Sequence, residues 1–336
     1  MRKDGSLIKS SSTVSFLWLG VIWIFAFFFV FCPTKYCYGN NLSLSDGLLV
    51  VQDESADTIK IRFSVSWNNS WRDSTNYDAV WIFAKFSTDA GKTWDHVTLN
   101  SSGTNPSGFS IGTGSKVAIV VPFDKKGCFI QRSENGSGTL SASNIDLVWD
   151  YGADGVSDDD ANSASTVIKI FGIEMIYIPE SSFLVGDADA TQTACIKAGK
   201  TLNSPASISS ESAVSFNNLD NGPFYYQSGS NDGEWVSGTS FTVSSSFPKG
   251  YKAFYLMKYE MSQGQWIAFF NTLTDDQKVS RDMTSSSANG KASDAVVKRN
   301  AVSFVSSGDA MLVNGREQDR ACNFISWMDL CAYADW

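Results

Sequence analysis

Histidine is almost missing from this chain. Among 336 residues there is one, His96. A site built from two or three imidazoles, as in most catalytic zinc centres, is therefore disfavoured. A Ser-His-Asp hydrolase would rest on that single ring. A basic surplus is missing too. Lys and Arg number 26 against 35 Asp and Glu, a formal net charge of −9, which leaves no electrostatic footprint for nucleic acid. No CxxC spacing occurs among Cys128, Cys195, Cys322 and Cys331, which argues against a zinc knuckle or a thioredoxin-type pair. What is present is apolar: 43% hydrophobic and 13% aromatic residues with 18% charged. That is a globular composition and excludes a disordered chain. At roughly 100–200 residues per domain, the length suggests two or three domains.

The amino terminus reads as an export signal. Arg2, Lys3 and Lys9 form a basic head, and no residue from Val14 to Cys32 is charged. Small residues at −3 and −1 fit cleavage after Cys37-Tyr38-Gly39, leaving Asn40 as the new terminus. The apolar run exceeds the usual signal core of about 7–15 residues and approaches the roughly 20 that span a bilayer. An uncleaved signal anchor is the alternative. A lipoprotein through Cys32 is disfavoured by the bulky Phe29, Val30 and Phe31 before it. In each case the rest of the chain lies outside the cytoplasm (periplasmic, cell-surface or secreted) and meets a membrane only through this segment. Without residues 1–39 the chain has 22 basic and 34 acidic residues, net −12. Its four cysteines admit three pairings in an oxidising compartment. Cys322 and Cys331, nearest in sequence and flanking a helix start, are the first pair expected.

Residues 40–170 read as a β-rich module. Thr58–Trp67 alternates apolar and polar residues, the pattern of a half-buried strand. Ala79–Phe86 is a continuous apolar run, as in a strand buried on both faces. Lys116–Val121 and Ile145–Trp149 are further strands between Gly-, Ser- and Asn-rich turns. An antiparallel β-sandwich is the natural inference.

Two local patterns in this module invite a chemical reading. Ser87-Thr-Asp89-Ala-Gly91-Lys-Thr-Trp94 resembles the Asp-box of sialidases and related propellers. Physically it is a hairpin turn: the Asp caps backbone amides, the Gly takes positive φ and the Trp packs beneath. One copy supports a stable turn rather than a propeller, and sialidase-like carbohydrate binding is a distant reading. His96 follows directly and reads as incidental. Asp150, Asp154, Asp158, Asp159 and Asp160 form an acidic loop. Clustered carboxylates can hold Ca²⁺ in exported proteins, but the spacing is not that of an EF-hand, and a solvated acidic turn is preferred.

Three ordered blocks in the second half resemble the formylglycine-generating enzyme, or sulfatase-modifying factor, family. Met175-Ile-Tyr-Ile-Pro179 with Phe183 and Gly186 is similar to that family's opening M-V-x-I-P-G-G-x-F-x-M-G. Phe254–Asn271 is similar to F-x-I-x-x-Y-E-V-T-N-x-Q-Y-x-x-F, and Ala321–Trp336 to P-V-x-x-V-S-W-x-D-A-x-A-Y-x-x-W. The residues also make sense by themselves. Ser262-x-x-Gln265 is a capping box before apolar Trp266, Ile267, Phe269 and Phe270, and Ser326-x-x-Asp329 is a cap of the same kind. Ser, Gln, Asp and Trp are thus assigned to helix starts and core, not to chemistry. The resemblance implies an α+β architecture. An amino-terminal antiparallel β-sandwich precedes a C-type-lectin-like domain over residues 171–336, with the Ser-rich 201–246 and polar 275–318 stretches as insertions.

The resemblance also says what to expect of function. In that family a complete domain oxidises a substrate cysteine to formylglycine with O₂ and copper, acting on an unfolded sulfatase-like polypeptide. The copper-binding cysteine pair lies in a carboxy-terminal half that follows the third block. This chain stops at Trp336 inside a predicted helix, so 171–336 is expected to be the first part of a longer domain. No residue present matches a catalytic, copper or other cofactor position, Cys322 and Cys331 included. The alternative is a non-catalytic exported module of the same fold, binding a surface ligand or serving as structure. The segment after Phe171 is expected to lack partner strands and to expose Trp327, Tyr333 and Trp336.

Overall fold

The computed structural model describes residues 41–186, 196–198, 204–216, 225–226, 241–284, 300–304, 308–313 and 317–336. Residues 1–40, where the export signal is expected, Cys195 and much of the 201–246 and 275–318 stretches lie outside the described residues. No helix among the described residues is long and apolar enough to cross a membrane.

The first part is antiparallel sheet. Its strands are β1 (Ser43–Leu44), β2 (Leu48–Asp53), β3 (Thr58–Arg72), β4 (Tyr77–Ser87), β5 (Asp95–His96), β6 (Gly103–Thr104), β7 (Thr113–Gly114), β8 (Val117–Val121), β9 (Cys128–Arg132) and β10 (Gly136–Asp150). A one-turn helix, α1 (Asp158–Ala161), leads to the long β11 (Val167–Ile178). Short strands follow: β12 (Phe183–Val185), β13 (Ile196–Lys197), β14 (Ala206–Ile208), β15 (Val214–Phe216), β16 (Tyr225–Tyr226), β17 (Phe241–Val243) and β18 (Phe254–Met257). The chain then forms α2 (Gln263–Phe270), α3 (Asp275–Arg281), β19 (Val302–Ser303), β20 (Met311–Leu312) and α4 (Trp327–Asp335).

Twelve strands make one large curled sheet, in the path β6-β8-β9-β4-β3-β10-β7 with β1, β2, β5, β11 and β18 attached. β3 and β4 pair as strands only at Arg72 and Tyr77. The sheet therefore has two arms, one around β3 and β10 and the other around β4, β9 and β8. Period-two patterning turns the apolar faces of both arms into one core. β3 contributes Ile59, Ile61, Phe63, Val65 and Trp67, and β10 contributes Leu140, Ala142, Ile145, Leu147 and Trp149. Val80, Ile82, Ala84 and Phe86 come from β4, and Phe86 packs on Trp149 at 4.7 Å between ring centroids.

The continuous apolar run in β4 has a second use. Its other face, Trp81 and Phe83, belongs to a separate core with Ile173, Met261, Trp266, Phe269, Phe270 and Tyr333. β4 is covered on both sides, as its composition predicts. β11 runs beside it for eleven residue pairs, from Val167↔Ser87 to Tyr177↔Tyr77. Ile168 and Ile170 face the first core, and Phe171, Ile173 and Met175 face the second. Position 170, where composition divides two modules, therefore falls inside a single strand.

Three expectations are corrected. The segment after Phe171 does have partner strands, because β11 pairs with β4 on one side and β18 on the other. Tyr333 is 7% exposed, and Trp336 packs against Phe83, Phe171 and Phe269; only Trp327, at 77%, is open to solvent. Cys322 and Cys331 are free thiols. The backbone N–H of Cys322 donates to Met261 O at 2.8 Å and its thiol turns to the carbonyl of Asn323. The stretch expected to be a polar insertion from 275 also begins with a helix, α3, whose own capping box joins Thr274 and Gln277.

Phe83 is the test of the shared strand. It is 3% exposed and stacks on Phe171 at 5.2 Å. Phe83→Ala is expected to cost about 3–5 kcal/mol, read as a fall in the urea midpoint of unfolding. A cost below 1 kcal/mol would show that the second core does not rest on β4.

Candidate functional site

The three motif blocks meet. The first and second pair as strands, Met175↔Met257 through Ile178↔Phe254. Capping chemistry then fixes both helices that follow. Ser262 Oγ accepts from Gln265 N–H at 3.2 Å, and Gln265 Oε1 accepts from Ser262 N–H at 2.9 Å. Ser326 Oγ accepts from Asp329 N–H at 3.2 Å, while Asp329 Oδ2 accepts from both Ser326 N–H and Ser326 Oγ–H at 2.8 Å. The third block is stitched to the second by a Ser262↔Ala321 bridge and by Gln263 N–H donating to Arg320 O at 2.8 Å. Trp266, Phe269 and Tyr333 then close the core between them. Asp329 is 1% exposed and pairs with Arg281 Nη1 at 3.0 Å. Ser262, Gln265, Ser326 and Asp329 are thus committed to caps, Asp329 to an ion pair as well.

The cysteines do not assemble. Cys128 is fully buried in the first core, and burial pushes its thiol far up. Burial, with Asp329 second, pushes the Cys322 thiol up to about 12. Copper would have to displace that proton, and among the described residues no cluster of ligating side chains surrounds either thiol to favour it. Among the described residues no group of three His, Cys, Asp or Glu side chains is placed to hold a metal ion. The acidic loop shows where its carboxylates go. Asp154 accepts from Thr98 N–H, Thr98 Oγ–H and Trp149 Nε1–H at 2.8, 2.6 and 2.8 Å. Asp158 accepts from Tyr151 Oη–H at 2.5 Å, and Asp150 accepts from Ala153 N–H at 2.9 Å. Asp160 accepts from the Ser157 hydroxyl at the cap of α1. These carboxylates serve separate donors.

The Asp-box pattern is a hairpin turn, as its chemistry predicts. Asp89 Oδ1 accepts from Thr93 N–H at 2.9 Å, Lys92 N–H at 3.1 Å and Ser87 Oγ–H at 2.7 Å. Gly91 takes φ +88°, and Trp94 Nε1–H donates to Gly91 O at 3.1 Å. Donation from Thr93 N–H, then from the Ser87 and Thr93 hydroxyls, lowers the Asp89 carboxyl to about 2. His96, on β5, is half-buried with its ring 5.6 Å from Phe83. Burial first, then the charge of Lys85, lowers it to about 4. It is a neutral imidazole at pH 7.

Two features escaped sequence reasoning. Asp78, 1% exposed, accepts from Trp67 Nε1–H at 2.9 Å, Ser70 Oγ–H at 3.0 Å and Trp71 N–H at 2.9 Å. Lys258 Nζ lies 3.7 Å from it and 3.9 Å from Glu174. The signal was a charged residue inside an apolar strand run, at 78 in β4 and at 174 in β11. The second is an open recess of about 510 Å³ between Glu211, Ser245, Pro248, Gly250 and Phe254. Glu211 is no free acid there, since it accepts from the backbone N–H of Lys249, Tyr251 and Lys252.

Two measurements check these assignments. Asp329→Ala removes a cap and strands Arg281, with an expected loss of about 3 kcal/mol in urea unfolding; an unchanged midpoint would contradict the cap. The pH dependence follows from two lowered groups. A group lowered on folding supports the native state above its unfolded pKa, and that support fades as pH falls through its folded pKa. His96 therefore weakens stability between about pH 6.5 and 4, and Asp89 between about pH 4 and 2. The single histidine gives one imidazole NMR signal, whose midpoint is expected near 4; a midpoint near 6.5 would place it in open solvent.

Comparison with protein-family models, with curated proteins and with solved structures finds no match.

Proposed function

We propose that the chain is an exported protein of the formylglycine-generating type, a β-sandwich module leading into the first part of a C-type-lectin-like domain. The observation that carries this reading is the joining of its three motif blocks in one core: β11 beside β18, α2 behind its Ser262 box, and α4 behind its Ser326 box. Blocks far apart in sequence that share pairing, caps and a core behave as parts of one domain. In its complete form such a domain would oxidise a cysteine of an unfolded sulfatase-like polypeptide to formylglycine.

The chain's own residues supply the scaffold for that chemistry. Cys128 and Cys322 do not fit a copper site, so no step runs through the metal here. The Ser262 and Ser326 boxes fix where α2 and α4 begin, and the second core excludes water behind them. A second reading, a non-catalytic binding or structural module, is favoured by one observation. The four capping side chains of the second and third blocks, Ser262, Gln265, Ser326 and Asp329, are already consumed by capping and by the Arg281 ion pair, which leaves none of them to act on a substrate.

The complete gene product decides between them. It is loaded with copper(I), given O₂ and a cysteine-containing peptide, and the peptide is probed for an aldehyde with a hydrazide. Aldehyde formation that depends on copper supports the oxidase. A complete product without a carboxy-terminal cysteine pair, or one that binds copper and yields no aldehyde, leaves the non-catalytic module.

A further inference from the structure

An acidic chain carries, on one face of its sheet, a row of two lysines and the sole histidine that takes part in no ion pair among the described residues. On the face of the sheet that bears Phe83 and Phe171, the next row across β5, β4 and β11 is His96, Lys85 and Lys169. Lys85 lies directly opposite His96 on one side and directly opposite Lys169 on the other. Directly opposed like charges are destabilising in antiparallel sheet, so this arrangement normally calls for a compensating anion. The ion pairs among the described residues are Lys60 and Arg62 with Asp146, Lys116 with Glu134, Lys258 with Asp78 and Glu174, Lys278 with Asp309, Arg281 with Asp329 and Arg320 with Glu317. None involves the row.

The neighbouring groups deepen the imbalance. Lys85 is half-buried, and burial lowers its pKa, with Lys126 acting in the same sense and Asp95 opposing. Lys126 Nζ–H donates to Thr98 Oγ at 2.7 Å, which holds a further positive charge near the row. Of the two carboxylates in electrostatic reach, Asp154 is consumed by Thr98 and Trp149. Asp95 is exposed and sits opposite Phe86, one position out of the row. Lys169 Nζ lies 4.3 Å from the centre of the Trp94 ring. The Asp-box-like hairpin thus props one end of the row. His96 Nδ1 faces the Val97 carbonyl at 3.3 Å, which makes Nδ1 the protonated nitrogen and Nε2 the ring's remaining polar atom.

We propose that His96, Lys85 and Lys169, with Lys126 at their edge, form a binding site for a dianionic oxyanion group, a sulfate or a phosphate. Lys85 and Lys169, set opposite one another by the register, supply its positive charge, and His96 Nε2 gains a proton and becomes a further donor when the anion is seated. A dianion is favoured over a carboxylate because the row carries more than one uncompensated charge. The site is independent of cysteine oxidation and stands whether or not the complete domain is an oxidase.

The sole histidine makes the test direct. The His96 imidazole signal of the full chain is followed by NMR against pH, in sodium sulfate and in sodium chloride of matched ionic strength. Bound sulfate is expected to raise the His96 midpoint by about one pH unit, saturably, and chloride is not. Lys85→Gln is expected to weaken the apparent affinity for sulfate by about tenfold. Lys169→Gln, at the other lysine of the row, should weaken it in the same direction and guards against misfolding of the first variant. Phosphate, then an aryl phosphate monoester, separates the sources: tighter binding of the ester assigns the group to a larger ligand that reaches Trp94, and equal binding assigns the free ion. A shift that never saturates and is matched by chloride overturns the site. So does a saturable shift that both variants leave unchanged.

Discussion

The ladder between β4 and β11 is the constraint on which the structure depends. Eleven consecutive residue pairs join two strands whose apolar side chains enter a core on each face. A strand in that position can tolerate few polar groups, because an unpaired buried polar or charged group costs several kcal/mol. At its Tyr77 end the ladder holds two acidic residues, Asp78 and Glu174, and Lys258, just after β18, lies within 4 Å of both. Lys258 is itself placed by its backbone N–H donating to Glu174 O at 2.9 Å. The third strand is thus held to the second by charge as well as by pairing. The buried trio ties the second motif block to the sheet at the point where the first block leaves it.

Close packing across the ladder follows from its small residues. Gly172 sits opposite Ile82, and a Cβ there would lie 2.9 Å from Leu44 Cδ1 and 3.2 Å from Val80 Cγ1. The absence of a side chain lets β1 approach β11, so the first core is sealed at its edge by Leu44. At the other end, aromatic side chains take over. Tyr77 stacks on Tyr177 at 4.7 Å with Arg72 over its far face at 4.3 Å, and Tyr255 stacks on Phe129 at 3.8 Å. The Tyr77 and Tyr255 hydroxyls meet at 3.1 Å, so aromatic contacts tie together the strand ends of β4, β11, β18 and β9.

Much of this was legible in the sequence because it is local. Alternation in Thr58–Trp67 marked β3, the continuous run at Ala79–Phe86 marked a strand covered on both sides, and Ser-x-x-Gln and Ser-x-x-Asp marked two helix starts. Asp89, Gly91 and Trp94 took the turn roles their chemistry dictates. The choice of partners was not legible. Nothing in Val167–Ile178 states that it pairs with a strand ninety positions earlier, since that choice is made by which surfaces remain dry once both cores close. The same holds for Tyr333 and Trp336, whose burial depends on Phe83 and Phe171 arriving from the sheet. The α3 helix was legible in Thr274-x-x-Gln277 but was hidden by the polar residues around it.

The basic row on β5, β4 and β11 belongs to the same class of non-local consequence. Lys85 and Lys169 are unremarkable in sequence, separated by the strands β5 to β10, and become a charge problem only because the ladder sets them opposite one another. The remainder of the molecule does not relieve it. An excess of acidic residues creates a field that repels anions at long range, but at physiological ionic strength that field decays over about 8 Å. Half-buried charges are screened far less. An anion that reaches the row is therefore held by contact rather than by attraction from a distance. Its association is expected to be slower, and its selectivity greater, than at a broad basic surface, where steering dominates.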